Sequence, residues 1–270
     1  MAKYDFATFA IEYERDGEGF IHFPRDSNYR KDMFPNLNLD AHPAKANLYL
    51  VQAIIEHVSY PEETIMDIMS GTGSIMTAAL VGRKVVCIEL EDEYCKIIEE
   101  GIKSLEIIAP GISEMITLIP GDCSKVLPVY GINHIIFSPP YTNIMKKSPI
   151  LDKLSRETMG EGLVTYSKHP DNIGNLNEFL YHQKMEIIYK KALQSLEPGG
   201  TLTIIIKDHI EGGKRVFLGE RATRDCVRAG FEFVASWKWL PPGSVYVGFM
   251  KARGDMVVED EDIILLRKPK

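Results

Sequence analysis

Two short segments of this chain carry residue types that could do chemistry, and each follows an apolar run typical of a buried strand. Ser138-Pro139-Pro140-Tyr141 follows the run 134–137, and a glycine-rich segment, 67–74, follows the run 64–66. Ligands of open α/β sheets bind at the edge where such strands end. A glycine-rich turn there can hold a cofactor, and a Pro-Pro-aromatic turn can hold a planar group against a ring. The pair predicts group transfer to an amine on a flat heterocycle.

The glycine-rich turn favours a nucleoside ligand over a dinucleotide. It consists of Ser70, Gly71, Thr72, Gly73 and Ser74. Glycines let the backbone approach a ligand closely, and the N-terminus of a following helix offers free N–H groups. A dinucleotide-binding loop has a third glycine where this chain has Met76, and no Gly-Lys-Ser/Thr of a Walker loop follows. Binding of NAD or of a nucleoside triphosphate is therefore disfavoured.

Two acids follow the next predicted strands in an informative order. Glu89 ends the second strand, and Asp122 follows the third. A carboxylate at the first position can accept hydrogen bonds from ribose hydroxyls, and one at the second can meet an exocyclic adenine amine. The alternatives are a surface acid for Glu89 and a helix-capping residue for Asp122. Their order after the glycine-rich turn favours a bound nucleoside.

The Ser-Pro-Pro-Tyr segment has the groups needed to orient an amine. Its two prolines fix φ and remove two N–H donors, so backbone carbonyls are left to accept hydrogen bonds from an NH₂ group. Ser138 adds an acceptor, and Tyr141 can stack on a heterocycle. Direct displacement at a methyl group depends on positioning and local electrostatics and needs no metal. The alternative is a proline-rich turn that only caps a buried strand.

Alternating strand and helix patterns predict the elements that position these segments. We predict strands over 64–68, 84–89, 115–119, 133–137, 201–206, 231–239 and 263–267, and helices over 44–58, 74–81, 91–108, 178–196 and 220–229. Asn175 and Glu178 form a predicted capping box, and Pro198-Gly199-Gly200 a predicted turn. Such alternation indicates an α/β fold with a mostly parallel sheet and helices on both faces.

The chain divides into two predicted parts. Residues 1–40 form an irregular N-terminal arm, and residues 41–270 form one catalytic domain. The stretch 142–174 breaks the periodicity and is a predicted substrate-recognition loop. Its Lys146 and Lys147 are predicted phosphate contacts, and Lys207 and Trp239 are further predicted substrate contacts.

Composition narrows the class of protein. The chain has 270 residues, 45% of them hydrophobic, and a net charge of −7. Dedicated nucleic-acid binders are more often basic, but basic clusters on an acidic protein can still contact phosphates. The sequence contains no membrane-length apolar run, no signal segment and no Cys-x-x-Cys pair. We expect a cytoplasmic protein with neither a membrane partner nor a metal.

The glycine-rich segment resembles the first motif of the Rossmann-like S-adenosylmethionine-dependent methyltransferases, and Glu89 and Asp122 match their ribose-side and adenine-side acids. Ser138-Pro139-Pro140-Tyr141 resembles the fourth motif of the amino-methyltransferases that modify N4 of cytosine or N6 of adenine in DNA. Serine in first place is typical of the N4-cytosine group. Ile68 and Met69 stand where that family usually has proline and an aromatic residue.

The resemblance implies S-adenosyl-L-methionine as cofactor, DNA as substrate and a cognate restriction endonuclease as partner. It implies a Rossmann-like sheet of seven strands and catalysis by Ser138, Pro139, Pro140 and Tyr141. The segment His42-Pro43-Ala44-Lys45 resembles the one beside the methionine end of the cofactor. The implied cofactor-binding residues are His42, Lys45, Asp67, Ser70, Gly71, Thr72, Gly73, Ser74, Glu89, Leu90, Asp122 and Cys123.

Three alternatives remain open at this point. An amine of guanine or adenine in RNA, or a protein glutamine, could be the methyl acceptor, although those enzymes usually begin the tetrapeptide with Asp or Asn. A non-catalytic subunit of the same fold would be expected to have lost one of the two motifs, and both are present here.

Overall fold

A seven-stranded sheet organises the protein in a computed structural model, which describes residues 8–35, 45–140, 169–243 and 245–270. The strands are β1 Thr64–Asp67, β2 Lys84–Glu89, β3 Ile116–Pro120, β4 Ile132–Phe137, β5 Leu196–Ile206, β6 His209–Glu211, β7 Lys214–Val216, β8 Glu232–Trp239 and β9 Glu261–Arg267. Strands β6 and β7 form a separate antiparallel hairpin.

The strand order places β1 and β4 side by side. The order is β3-β2-β1-β4-β5-β9-β8, with β9 antiparallel to both of its neighbours and the β1–β2, β2–β3, β1–β4 and β4–β5 pairs parallel. The chain therefore leaves β1 towards one edge of the sheet and leaves β4 towards the other. Ligands of open α/β sheets bind at such a reversal point. The predicted fold class, a mostly parallel seven-stranded α/β sheet, is confirmed.

The helices cover both faces of the sheet. They are α1 Ser27–Met33, α2 Leu48–Val58, α3 Asp92–Ile108, α4 Cys123–Val126, α5 Glu178–Ser195, α6 Leu218–Ala229 and α7 Val245–Ala252, with 3-10 helices at Ser74–Val81, Ile112–Met115 and Ile173–Asn175. Helix α6 ends at Gly230, whose φ of 112° suits glycine. None of these helices is both long enough and apolar enough to cross a lipid bilayer.

Strand side chains alternate between two hydrophobic cores, as the pleat requires. Ile65 and Ile205 belong to the core that includes α2 and α3. Their neighbours Met66 and Ile204 belong to the core that includes α5 and α6. Because both cores are continuous along the sheet, the strand ends on either side of the β1–β4 junction are held rigidly.

Residues 8–35 complete the first core. Phe9, Ile21, Phe23 and Phe34 are buried in it. The Ile21 backbone also extends the sheet edge: its N–H donates to the Lys238 carbonyl, and its carbonyl accepts from the Leu240 N–H, both at 2.9 Å. The predicted domain boundary at residue 40 lies outside the described residues.

Three local predictions were wrong. Helix α5 is capped by Asn177, whose side chain accepts from the Leu180 N–H, while Asn175 donates to the His169 carbonyl. The Pro198–Gly200 stretch lies inside β5 because Gly199 and Gly200 exchange backbone hydrogen bonds with Lys268. The stretch 74–81 is a 3-10 helix rather than an α-helix.

Candidate active site

The segments after β1 and β4 line one cavity of about 520 Å³. This volume lies within the range of roughly 300–1,000 Å³ found for small-molecule sites. The predicted site residues that line the cavity are Lys45, Asp67, Ser70, Gly71, Thr72, Ser74, Glu89, Leu90, Asp122, Cys123, Ser138, Pro139, Pro140, Lys207 and Trp239. The two motifs found far apart in the sequence therefore share one site.

Five predicted site residues have no described place on the cavity wall. Gly73 faces the core: a Cβ there would lie 2.7 Å from Met76 Cε and 3.0 Å from Ile98 Cγ1. Its role in the structure is to close the turn, because its φ is 76° and its N–H donates to the Ser70 carbonyl at 2.8 Å. The other four, His42, Tyr141, Lys146 and Lys147, lie outside the described residues.

Two sides of the cavity differ in composition. The β1–β2 side consists of the glycine-rich turn with Asp67, Glu89, Leu90, Asp122 and Cys123. The β4–β9 side consists of Ser138, Pro139, Pro140, Lys207, Trp239 and Glu261. Polar and charged groups on the first side are held mainly by backbone hydrogen bonds, whereas the second side combines prolines, an indole and one Lys–Glu pair.

The Glu89 carboxylate ties the glycine-rich turn to the end of β2. Its Oε2 accepts from the Gly71 N–H at 2.6 Å, and its Oε1 accepts from the Leu90 and Glu91 N–H groups at 2.8 and 2.9 Å. Burial raises the pKa of Glu89, and these three N–H groups oppose that rise. An ionised carboxylate has about four lone-pair positions, so about one is left for a ligand.

The two oxygens of Asp122 have different surroundings. Oδ1 caps α4 by accepting from the Ser124 N–H at 2.8 Å. Oδ2 is buried and accepts no hydrogen bond from the described residues, with the Lys184 ammonium 3.6 Å away. The helix cap therefore occupies one oxygen only, while the other lies 3.6 Å from the Lys184 ammonium and 3.8 Å from the Lys125 ammonium.

Asp67, at the end of β1, has a strongly raised pKa. Burial, and secondarily the nearby Glu89 carboxylate, raise its pKa to about 7, while the Met69 N–H, which donates to Oδ1 at 2.9 Å, opposes the rise. The ionised form of Asp67 is thus costly in the empty cavity. A cationic ligand placed beside it would relieve that cost.

We expect Asp67→Asn to stabilise the ligand-free protein more at pH 8 than at pH 5. A pKa raised from 3.8 to about 7 means that ionised Asp67 destabilises the fold fully above pH 7, and the cost disappears as pH falls towards 4. Asparagine keeps the acceptor for Met69 and carries no charge. The gain in unfolding free energy should be about 2 kcal/mol larger at pH 8 than at pH 5 by urea titration.

The matched control for this prediction is Glu99→Gln, on the exposed face of α3. Its effect on the unfolding free energy should be small at both pH values. An Asp67→Asn gain that is the same at pH 5 and pH 8 would contradict the assignment of a raised pKa.

The N-terminal segment supplies cavity residues that the sequence did not reveal. Arg25, Asp26 and Ser27 line the cavity. Buried Arg30 donates from Nη1 to Ser74 Oγ at 3.1 Å and from Nη2 to Asp26 Oδ2 and the Ala46 carbonyl, both at 2.6 Å. Arg30 thus joins Ser74 of the glycine-rich turn to Asp26, which precedes α1, and to Ala46, which precedes α2. No motif or periodicity in 8–35 signalled this contact.

Glu261 is a second lining residue that was not predicted. It lies opposite Trp239 in the β8–β9 pairing, and its Oε1 is 3.9 Å from Lys207 Nζ. Burial raises its pKa, and the Lys207 ammonium and the Trp239 indole oppose that rise. From the sequence, β9 was predicted only as a closing strand of the sheet, over 263–267.

The family model described as DNA methylase matches residues 15–100. This range includes the glycine-rich turn, Glu89 and the N-terminal residues that line the cavity. No curated protein matches the sequence.

Solved structures share the fold at low identity. A methyltransferase from Pyrococcus furiosus is 12% identical with a TM-score of 0.54, over 91% of this chain and 95% of its own. The glycopeptide N-methyltransferase MtfA in complex with S-adenosylmethionine is 12% identical with a TM-score of 0.52, over 92% and 100%. TrmN from Thermus thermophilus is 15% identical with a TM-score of 0.49, over 88% of this chain, which spans 52% of TrmN.

The family match covers residues 15–100, which include Asp67, the glycine-rich turn, Glu89 and Leu90, and the fold likeness extends over most of the chain. Residues 15–100 thus resemble the DNA methylase family, and the chain shares its seven-stranded fold with methyltransferases of known structure.

Proposed function

We propose that the protein methylates the exocyclic amine of a DNA base, with N4 of cytosine preferred over N6 of adenine. The observation that carries this proposal is the single cavity shared by the glycine-rich turn after β1 and the Ser-Pro-Pro segment after β4. A methyl donor on one side and an amine on the other would lie next to each other there.

The β1–β2 side fits S-adenosylmethionine. Oδ2 of Asp122, which accepts no hydrogen bond from the described residues, would accept from an adenine amine, and the open position on Glu89 would accept from a ribose hydroxyl. Asp67 and the turn would face the rest of the nucleoside, and Lys45 is the proposed contact at the methionine end. When bound, the cofactor supplies an electrophilic methyl group on a positively charged sulfur.

On the β4–β9 side, the chain's own residues would orient the amine. Ser138 Oγ and the backbone carbonyls before and within the Pro-Pro pair are acceptors for the two amine hydrogens. Holding both hydrogens directs the nitrogen lone pair towards the donor, and most of the rate enhancement then comes from positioning. Pro139 is buried, and the two prolines fix φ in this segment.

DNA as the substrate rests on the family match and on the serine that begins the tetrapeptide. Cations on the cavity wall, Arg25, Lys45 and Lys207, are suitable contacts for an anionic or electron-rich substrate. Several points stay predictions from the sequence. They are the roles of His42, Tyr141, Lys146 and Lys147, the recognition loop 142–174, a cognate restriction endonuclease as partner, and a cytoplasmic location. Proteins of this fold also act on substrates other than nucleic acids, since MtfA is a glycopeptide N-methyltransferase.

The direct test is incubation of the protein with labelled cofactor, mixed double-stranded DNA and structured RNA. After incubation, the polymers are digested and the nucleosides are separated by mass spectrometry. We expect N4-methyldeoxycytidine from the DNA. N6-methyldeoxyadenosine would keep the reaction class and change the base. Label in RNA alone, in protein alone or in nothing would overturn the proposal in favour of an RNA enzyme, a glutamine methyltransferase or a non-catalytic subunit, respectively.

A further inference from the structure

Lys207 and Glu261 form a charged pair on the β4–β9 side that the reaction outlined above does not use. Both side chains are largely shielded, at 28% and 20% exposure, and both line the cavity. The Lys207 ammonium is 3.9 Å from Glu261 Oε1 and 3.5 Å from the Glu259 carbonyl. An ammonium has three N–H donors, so Lys207 keeps donors for a ligand.

The strand register explains why this pair faces the cavity. Residues next to each other on a strand point to opposite faces. On the other face, Asp260 is bound by Arg215 and Lys238, each at 2.6 Å, and Asp262 lies 2.8 Å from Lys238. The acids beside Glu261 are therefore already neutralised by other cations, and Glu261 is left to hold Lys207.

The same register sets the distance from the pair to the Ser-Pro-Pro segment. Phe137 of β4 pairs with Ile204 of β5, and Ile206 of β5 pairs with Asp262 of β9. Ser138 follows β4 and Lys207 follows the neighbouring β5, so the two strand ends are about 5 Å apart at the usual strand spacing, and Glu261 begins β9 on the other side of β5. A base whose amine is bound at Ser138 would therefore lie within reach of Lys207 in the same cavity.

We propose that Lys207, positioned by Glu261, donates a hydrogen bond to an acceptor atom next to the amine that is methylated. This inference rests on the proposed function and adds a specificity rule to it. Cytosine has the ring acceptor N3 beside its amine, and adenine has N1 at the matching place. A fixed cationic donor in this position matches that acceptor and fixes the orientation of the base.

The test uses oligonucleotides in which the target base is replaced by its deaza analogue, 3-deazacytosine or 1-deazaadenine. These analogues keep the amine and lose the neighbouring ring acceptor. For the wild-type enzyme we expect kcat/KM to fall about 30-fold on the analogue, as for loss of a hydrogen bond to a charged group. The kcat/KM of Lys207→Met should be lower than that of the wild type by a similar factor on the natural base, and it should fall little further on the analogue.

Two further variants make the result specific. Glu261→Gln keeps the volume of the side chain but not its charge, so it should raise KM on the natural base and reduce the analogue penalty while cofactor affinity stays near the wild-type value. It also serves as the second test if Lys207→Met does not fold. Lys190→Met, an exposed lysine of α5 that does not line the cavity, should behave as wild type on both substrates.

The outcomes separate this inference from the proposed function. If the wild-type enzyme methylates no oligonucleotide, the proposed function fails and the specificity rule fails with it. If the wild-type enzyme is active but Lys207→Met and Glu261→Gln keep the full analogue penalty, only the specificity rule is overturned.

Discussion

Ser138→Ala is expected to lower kcat about 100-fold, in the range measured when one preorganised hydrogen-bonding group is removed from an active site. Ser138 follows β4 at the strand junction and lines the cavity opposite the glycine-rich turn. Its hydroxyl would orient the amine as the nitrogen attacks, so its loss affects the transition state more than the bound cofactor. Rates come from single-turnover assays with labelled cofactor, and affinity comes from calorimetry.

The control for Ser138 is Ser236→Ala, an exposed serine on β8 that does not line the cavity. Both kcat and cofactor affinity should remain at wild-type values in that variant. Equal losses of rate and of cofactor affinity in Ser138→Ala would remove Ser138 from the acceptor side and make it part of the cofactor site.

Glu89→Ala is expected to weaken cofactor affinity about 100-fold, because two charge-assisted contributions disappear together. One is the acceptor position left open for a ribose hydroxyl. The other is the bond from the Gly71 N–H at 2.6 Å, which fixes the glycine-rich turn against the end of β2. Without that bond, the cofactor must order the turn as it binds, and the entropic cost appears in the affinity.

Two variants divide the effect of Glu89. Glu89→Gln can still accept one backbone N–H but cannot accept all three, so its affinity should lie between those of the wild type and Glu89→Ala. Glu93→Gln, an exposed acid in the first turn of α3, should leave the affinity unchanged. Calorimetry that shows no change for Glu89→Ala would refute the ribose assignment.

The sequence signals on the β1–β2 side of the cavity are local. They are a strand that ends in an acid, a turn with two glycines at φ values of 52° and 76°, and an acid after the next strand. Each of these features depends on residues close together in the chain. The Ser-Pro-Pro segment was found for the same reason. The alternation of strands with helices predicts that both segments lie at one edge of a parallel sheet.

Predictions failed where a hydrogen bond outside the local sequence pattern decided between alternatives. The cap of α5 is Asn177 and not Asn175, since Asn175 is engaged with His169. Pro198–Gly200 reads locally as a turn, but Lys268 pairs with its backbone and makes it part of β5.

By itself, the sequence determined the fold class, the two motifs and their order along the chain, because periodicity and turn chemistry are written in neighbouring residues. Only the tertiary structure decided which distant side chains complete the site. Arg30 reaches Ser74 from a helix in the N-terminal segment, and Glu261 meets Lys207 because β9 runs antiparallel beside β5. Contacts between residues 44 and 54 positions apart follow from strand order and core packing, which no local pattern encodes.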